Sequence, residues 1–356
     1  MKELGVSRFK NDNGVSCYMV SILHILQQIP DFTIHLLNLK KIKNNIGESI
    51  FFELARAIKL SLDNDNIRIS PKSFKKIIGE KDSMWSEFQH QDSQEFYCFL
   101  MSKIEEEWGK KIIEVPKNFC QELNITETIN NSILRIIGNN YISNSIKNDY
   151  SPFKNLFVGY LISNIRCSLC STTSPSFESF INLSLSIPIK KNTSPKSKYG
   201  LEECLENFVN DEQLDKNNLL NCDICGIKNK SFKKIQIWKA PKILVIQLKR
   251  FLINQYGIPT SKILNPVIYP VNDFDISEYY HLDSPYKTNT KYNLIGINVH
   301  YGFGLNGVNA GHYVSIVKNK SNNKWYLFDD ANPVLELDEE SIQNKNAYLL
   351  FYLRSD

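Results

Sequence analysis

A cysteine, a histidine and an aspartate occupy positions in this chain that suit nucleophilic catalysis. Cys17 opens an apolar helical pattern, His312 stands in Gly311-His312-Tyr313, and Asp329 ends the strand pattern that follows. A helix N-terminus and a nearby imidazole both favour the thiolate, the reactive form of a cysteine. A carboxylate beside the imidazole would fix its tautomer and orientation. The three residue types therefore predict a thiol nucleophile, a general base and an orienting acid.

The same residues also have a plain structural interpretation. Free cysteines are most often core residues, and a lone histidine at a strand start is more often a surface or core side chain than a base. What favours chemistry is the combination of Cys17 on a helix with the pair His312 and Asp329.

Two Cys-x-x-Cys pairs, Cys167/Cys170 and Cys222/Cys225, supply the four thiolates of a tetrahedral structural zinc site. Gly226 follows the second pair, where a tight turn benefits from a residue without Cβ. The alternatives are a redox dithiol and unrelated core cysteines. We predict a closed zinc site that ties the far end of a long β-hairpin, and no catalytic cofactor.

An acidic segment, Gln91–Phe96, opens a further helical pattern. Asp92 and Glu95 are spaced as in a capping box, which alone would explain both acids. Acids at a helix start can also face a cleft, where they would bind a basic peptide. Both interpretations stay open at this point.

The elements that must position these residues fall into two groups. Helical patterns cover Cys17–Ile29, Glu48–Leu62, Pro71–Ile78 and Gln91–Trp108, and strand patterns cover Ile181–Ile187, Ile243–Ile246, Leu294–Val299, Tyr313–Val317, Trp325–Phe328 and Ala347–Leu353. Helices first and strands afterwards predict an α+β fold with a largely antiparallel sheet. The polar, weakly periodic stretch Asn124–Tyr150 is our candidate for a surface insertion.

Composition narrows the class of protein further. The 356 residues include 42 basic and 38 acidic residues, for a net charge of +4, without a dense basic run or a basic–aromatic stripe. This disfavours a zinc-ribbon nucleic-acid module. No window is apolar enough for a secretion signal or a membrane span. Eight cysteines in such a chain indicate a reducing compartment, and we expect a protein of the cytoplasm, the nucleus or both.

Together these motifs resemble the catalytic domain of a ubiquitin-specific protease, a papain-like family of deubiquitinating thiol proteases. In order they are Gly14–Leu26, Gln91–Phe96, the two cysteine pairs, Pro241–Phe251, Gly311–Tyr313 with Trp325–Asp330, and Ala347–Arg354. The resemblance covers nearly the whole chain. It implies one catalytic domain shaped like an open hand: a helical thumb over 1–114, a variable polar segment over 115–154, mainly zinc-ribbon fingers over 155–235 and mainly palm sheet over 236–356.

The resemblance also implies roles for single residues. Cys17 would attack the carbonyl of ubiquitin's C-terminal glycine and form a thioester, His312 would act as base and then acid, and Asp329 would orient it with help from Asp330. The partners would be ubiquitin and ubiquitinated proteins, and we expect a monomer. The basic ubiquitin tail would run between thumb and palm, in contact with Asp92, Gln94, Glu95 and Tyr313.

One position departs from the family pattern. The asparagine that usually stabilises the oxyanion lies five residues before the nucleophile, where this chain has Asp12. An ionised aspartate has no hydrogen to donate. Either a protonated Asp12 donates, or Asn11 or Asn13 donates together with the Cys17 backbone N–H, or the enzyme is slow. The matching alternative function is a catalytically weak or inactive ubiquitin-binding scaffold.

The segment Gly302–Gly311 also looks longer than the flexible loop that covers the cleft in relatives.

Overall fold

The helices of the protein lie mostly in its first half. The structure, a computed structural model, describes residues 6–37, 49–64, 67–86, 89–109, 133–148, 151–190, 194–214, 219–256, 259–302 and 311–355. In these residues the helices are α1 Cys17–Leu26, α2 Pro30–Leu37, α3 Ile50–Asp63, α4 Lys72–Lys81, α5 Ser93–Gly109, α6 Ile133–Asn148, α7 Pro152–Phe157 and α8 Leu201–Val209. Short 3-10 helices are Ser83–Trp85, Ser277–Tyr279 and Glu339–Ile342.

The strands dominate from residue 159 onward. They are β1 Arg8–Phe9, β2 Arg68–Ile69, β3 Gly159–Cys167, β4 Thr173–Phe180, β5 Leu183–Ser186, β6 Tyr199–Gly200, β7 Glu212–Gln213, β8 Leu220–Asn221, β9 Lys228–Asn229, β10 Ser231–Lys239, β11 Ile243–Lys249, β12 Phe251–Ile253, β13 Pro259–Lys262, β14 Val267–Ile268, β15 Phe274–Asp275, β16 Lys291–Tyr301, β17 His312–Lys318, β18 Trp325–Phe328, β19 Leu335–Leu337 and β20 Ala347–Arg354. The predicted helices and strands and the α+β class are thereby confirmed, apart from small shifts at element ends.

The larger sheet is formed by strands from the second half of the chain. Its strand order is β19-β18-β17-β16-β20-β11-β5, with β15 beside β16. The strands pair antiparallel except for β11 and β5, which are parallel. Side chains along these strands alternate between the two faces of the sheet. On one face Val245 and Phe351 pack with the helices of the first half, and on the other Leu244 and Leu350 pack with α8. The sheet is therefore a rigid layer buried on both sides.

A second sheet extends from the first in the order β4-β3-β10-β7. β3 and β10 are antiparallel over most of their length, and Cys167 is paired with Ser231 at the far end. The two Cys-x-x-Cys turns lie at this end. β3 also pairs antiparallel with β4, and Cys167 and Cys170 lie at the turn between them, so the predicted hairpin that leads to the cysteine cluster is present.

A tertiary contact begins α3, because Ser49 and Glu107 together satisfy its first N–H groups. Ser49 Oγ accepts from the N–H of Phe52 at 3.1 Å, and the Glu107 carboxylate accepts from the N–H groups of Ile50 and Phe51 at 3.0 and 2.9 Å. These donors have no partner within the helix. Glu107 on α5 thus fixes how α3 packs on α5.

Helix α6 lies within the stretch that looked polar and weakly periodic, and the sequence did not predict it. Gly138 sits directly over Trp238, since a Cβ there would lie 2.7 Å from the indole. Tyr141 stacks on Phe177, and Ile142 is fully buried. The glycine lets the helix approach the second sheet closely.

No helix among the described residues is long and apolar enough to cross a bilayer. Residues 303–310, the core of the segment predicted to form a longer loop, lie outside the described residues.

Candidate active site and cysteine cluster

The first residue of α1 is Cys17, and it lies between the helices and the larger sheet. Ile25 packs on Gly296 so closely that a Cβ at the glycine would lie 2.8 Å from it, and His24 stacks on Phe328 at 4.6 Å. These contacts fix α1 on the face of β16 to β18. Cys17 is only 1% exposed, and its backbone N–H is one of the unpaired donors at the helix start.

His312 and Asp329 meet because they belong to adjacent antiparallel strands. His312 opens β17 and Asp329 directly follows β18, which pairs with β17 from Ser315 opposite Phe328. The Nε2 atom of His312 lies 2.6 Å from Oδ1 of Asp329. This bond leaves Nδ1 as the ring nitrogen available to the Cys17 thiol. The predicted trio is brought together in one place.

The electrostatics of His312 favour its charged form. A hydrogen bond with Cys17 raises the pKa of His312 to about 9, burial opposes this shift, and Asp329 adds to it. The imidazole is therefore protonated at neutral pH when it is paired in this way. A proton on His312 beside Cys17 is the arrangement needed to protonate a leaving group after the sulfur has attacked.

Asp330 contacts the segment before the nucleophile. Its Oδ2 accepts from Asn11 Nδ2 at 3.0 Å, and Asn11 Oδ1 accepts from the N–H of Ser16 at 2.8 Å. Burial raises the pKa of Asp330, while Asn11 and His312 lower it and Asp329 raises it further. Asn11 thus links the acidic pair to the turn that leads into α1.

Asp12 and Asn13, the candidate residues for the oxyanion, have different hydrogen-bond partners. Asp12 is exposed and its carboxylate accepts a hydrogen bond from Ser70. Asn13 faces the nucleophile's turn: its Oδ1 accepts from the N–H of Val15 at 3.2 Å and from Ser16 Oγ at 2.7 Å. Both of these bonds use the carbonyl oxygen of Asn13, so its amide group is left to donate.

Asp92 serves both as a helix cap and as a polar contact between the start of α5 and β20. Its Oδ1 accepts from the N–H of Gln94 at 2.6 Å and of Glu95 at 3.3 Å, and its Oδ2 accepts from the Tyr348 hydroxyl at 2.7 Å. Burial raises the pKa of Asp92, and these hydrogen bonds, that of Tyr348 first, act against the rise. The cap explains the sequence spacing, and the contact with β20 places the acid between the helices and the sheet.

The other predicted tail contacts differ in exposure. Glu95 is exposed, and Gln94 donates from Nε2 to Cys98 Sγ at 3.0 Å. Tyr313 is only 5% exposed and its hydroxyl hydrogen-bonds to Ser93. The structure thus leaves Glu95 exposed to solvent and buries the side chain of Tyr313.

Two further residues extend this polar contact and were not predicted from the sequence, Tyr348 and Gln247. Gln247 Nε2 donates to the Tyr348 hydroxyl at 2.8 Å, and Gln247 Oε1 accepts from Ser184 at 2.6 Å. Gln247 lies in the motif Pro241–Phe251 and Tyr348 in the motif Ala347–Arg354. A polar residue in an otherwise apolar strand, as in Ile243–Lys249, was the available signal.

The four cysteines of the two pairs form one cluster at the end of the second sheet. The sulfur atoms of Cys167 and Cys225 are 3.9 Å apart and those of Cys170 and Cys222 are 3.6 Å apart. Sulfur atoms around tetrahedral zinc, at about 2.3 Å each, would be about 3.8 Å apart. Gly226, after the second pair, has a positive φ of 69°. The cluster fits a structural zinc ion.

Comparison with known proteins agrees with this site. The family model described as ubiquitin carboxyl-terminal hydrolase matches residues 9–352. The chain belongs to this family, which makes it a cysteine-type deubiquitinating peptidase by class.

Individual relatives match over most of the chain. A probable ubiquitin carboxyl-terminal hydrolase of Acanthamoeba polyphaga mimivirus is 28% identical, over 98% of this chain and 79% of the relative. Ubiquitin carboxyl-terminal hydrolase Usp2 of Drosophila melanogaster is 28% identical, over 96% of this chain but only 34% of the relative. Ubiquitin carboxyl-terminal hydrolase 2 of Gallus gallus is 31% identical, over 85% of this chain and 79% of the relative.

Among solved structures, the SAGA Ubp8/Sgf11/Sus1/Sgf73 DUB module bound to ubiquitin aldehyde matches with a TM-score of 0.72 and 25% identity. The match covers all of this chain and 70% of the matched chain. The predicted family and fold class are confirmed.

Proposed function

We propose that this protein is an active deubiquitinase, which hydrolyses the isopeptide or peptide bond after the C-terminal glycine of ubiquitin. The observation that carries the proposal is His312, which hydrogen-bonds to Asp329 at 2.6 Å and to Cys17. Ubiquitin is the partner that the family and the ubiquitin-bound structural relative support.

The chemistry is acyl transfer through a thioester. The Cys17 thiolate attacks the glycine carbonyl, and His312 donates its proton to the departing lysine amine. Neutral His312 then takes a proton from water as that water attacks the thioester, and the proton returns to the sulfur as it leaves. Asp329 keeps Nε2 engaged, so that Nδ1 performs both transfers.

For the oxyanion we propose two donors, the Cys17 backbone N–H and the amide of Asn13. The Asn13 carbonyl oxygen is tied to Val15 and Ser16, which orients its amide. The Asp12 carboxylate is engaged by Ser70 instead. Removing one such donor costs on the order of 10²–10³ in kcat in other acyl-transfer enzymes.

The ubiquitin tail is basic and ends in two glycines. We propose that it lies in the groove between α5 and β20, where Asp92 and Glu95 would pair with its arginines. A ubiquitin-binding scaffold without turnover is the second candidate, favoured by an acid at position 12 where the family has an asparagine. Action as a monomer in the cytoplasm or nucleus stays a prediction.

We also propose that Cys167, Cys170, Cys222 and Cys225 hold one structural zinc ion. The sulfur separations support it, and four thiolates would close the coordination shell. The metal would take no part in the reaction.

Turnover of a fluorogenic substrate attached to the ubiquitin C-terminus tests the activity. We expect release of the fluorophore by the wild-type protein and none by Cys17→Ala. Binding of ubiquitin without turnover, and without labelling of Cys17 by a ubiquitin-based thiol-reactive probe, would contradict the activity and support the scaffold. Full turnover by Cys17→Ala would contradict the assignment of the nucleophile.

A further inference from the structure

A buried amide, that of Asn298 on β16, joins this strand to the helices α1 and α5. Its Nδ2 donates to Ser21 Oγ on α1 at 2.8 Å, and its Oδ1 accepts from Ser93 Oγ at the start of α5 at 2.8 Å. The exposed fractions of Asn298, Ser93 and Ser21 are 0%, 0% and 2%. Both ends of one side chain are thus used, each toward a different helix.

The two serines that bond to Asn298 lie close in sequence to residues of the proposed mechanism. Ser21 is about one helical turn beyond Cys17 on α1. Ser93 directly follows Asp92, and Ser93 also hydrogen-bonds to the hydroxyl of Tyr313, the neighbour of His312.

The strand neighbours of Asn298 complete the set. In the sheet, Asn298 lies opposite Ser315 of β17, and the same strand pair places Tyr301 opposite His312. On its other side β16 pairs with β20, where Asn298 lies opposite Leu349, next to Tyr348 of the groove. The nucleophile helix, the tail-binding helix and the strand of the general base therefore all meet at this amide.

An asparagine suits this position better than an aliphatic side chain of the same size. It supplies a donor and an acceptor on a short, planar group, whereas an aliphatic side chain of equal size would leave two buried hydroxyl groups without this partner. Hydrogen bonds in a water-free interior are directional and specify one arrangement of the elements they join. Apolar packing alone tolerates small shifts of a helix on a sheet.

We infer that Asn298 is a positioning residue, which holds α1 and α5 on the sheet at the spacing that pairs Cys17 with His312. The role of this pairing in catalysis rests on the proposed function, but the pairing itself does not. A small thiol reagent can measure the pairing of Cys17 with His312 without ubiquitin.

The test is the pH dependence of Cys17 alkylation by iodoacetamide, followed by mass spectrometry of the Cys17 peptide. An unpaired cysteine is roughly 0.3% thiolate at pH 6 if it titrates near 8.5. The ratio of the wild-type alkylation rates at pH 6 and pH 9 is the reference for the variants. In Asn298→Leu the ratio of the two rates should fall at least about tenfold, because the thiolate loses its imidazolium partner.

Asn265→Leu is the matched control. Asn265 is also a buried asparagine with two side-chain hydrogen bonds, from Nδ2 to the carbonyl oxygens of Ser194 and Ser197. Its bonds involve neither α1 nor α5. We expect this variant to lower the melting temperature and to leave the alkylation ratio at the wild-type value.

Two results would overturn the inference. The first is an unchanged alkylation ratio in folded Asn298→Leu. If that variant does not fold, Ser21→Ala and Ser93→Ala each remove one of the two bonds of the Asn298 amide, and wild-type ratios in both would be the second. A deubiquitinase assay that fails for the wild type would leave the alkylation result standing, so the two proposals fail separately.

Discussion

The Tyr348 hydroxyl donates a hydrogen bond of 2.7 Å to Oδ2 of Asp92, across the groove between β20 and α5. Burial raises the pKa of Asp92, and this hydrogen bond acts against the rise. The same hydroxyl accepts from Gln247 at 2.8 Å. The acid that would bind the ubiquitin tail is thus tuned by the sheet and not only by its own helix.

Loss of this hydroxyl should weaken substrate binding. In Tyr348→Phe the pKa of Asp92 rises further, and its carboxylate becomes a poorer partner for a cationic tail. We expect KM for a ubiquitin substrate to rise about tenfold at pH 7.5, with a larger rise at pH 6. Tyr352→Phe is the control, since its hydroxyl also donates a buried bond, to Pro270 O at 2.7 Å. Equal KM values in the two variants would contradict this role.

Removing the charge of Asp329 should change both rate and pH profile. Asp329 is one of the groups that raise the pKa of His312 to about 9, so Asp329→Asn should let His312 lose its proton at lower pH. We expect kcat to fall on the order of 10²–10⁴, as for an orienting acid in other triads. The alkaline limb of kcat/KM should move from near pH 9 toward neutral pH.

Two other acids serve as comparisons for Asp329. Asp338→Asn, an exposed carboxylate remote from the imidazole, should behave as the wild type. Asp330→Asn should have a smaller effect than Asp329→Asn, because Asp330 bonds to Asn11 and not to His312. An effect of Asp330→Asn that exceeds that of Asp329→Asn would reverse the roles of the two acids.

The donor role proposed for Asn13 has a nearly isosteric test. Asn13→Asp keeps an oxygen that can accept from Val15 and Ser16 but loses the amide hydrogens. We expect kcat to fall on the order of 10²–10³ with little change in the melting temperature.

The companion variant, Asp12→Asn, restores the residue type common in the family. Because Asn13 is the proposed donor and Asp12 bonds to Ser70, kcat of this variant should stay near the wild-type value. Unchanged activity of Asn13→Asp together with a large gain in Asp12→Asn would mean that the wild type lacks a side-chain donor.

Features of this fold could be predicted from the sequence where their signals are local. The helix at Cys17 and the strands that carry His312 and Asp329 were predictable, since periodicity and turn residues mark them. The meeting of Tyr348 with Asp92 was not, because it follows from the register of β20 against β16 and β11. Helix α6 was not predicted for a related reason: the role of Gly138 depends on its packing against Trp238, which is 100 residues away.

Metal content and folding should depend together on the cysteine cluster. We expect about one zinc per chain by elemental analysis, and loss of the folded far-ultraviolet and melting signals in Cys222→Ser, since structural zinc sites contribute directly to folding. Cys98→Ser should retain metal and fold, because Cys98 lies beside Asn182 and Gln94 instead of in the cluster. A wild-type protein that is fully folded without metal would contradict the zinc site.

His24 should make stability depend on pH. It is fully buried on the catalytic helix, its Nε2 accepts from the N–H of Phe9 at 2.9 Å, and its ring stacks on Phe328. Burial, with a smaller effect of Arg8, lowers the pKa of His24 to about 3. The folded protein therefore keeps His24 neutral, while the unfolded chain takes up a proton below about pH 6.5. The stability that this neutral ring contributes is fully present above pH 6.5 and is lost as the pH falls toward 3.

Urea unfolding of the wild type and of His24→Gln at pH 7, 6, 5 and 4 would measure this term. The difference between their free energies of unfolding should shrink by about 1.4 kcal/mol per pH unit below pH 6, because one proton more is bound by the unfolded wild type. The comparison cancels groups common to both proteins, including His300, whose pKa is also lowered to about 3 by burial and by Lys262. A difference that stays constant from pH 7 to pH 4 would show that His24 titrates alike in the folded and unfolded chain, and the packing of α1 on Phe9 and Phe328 would then require another explanation.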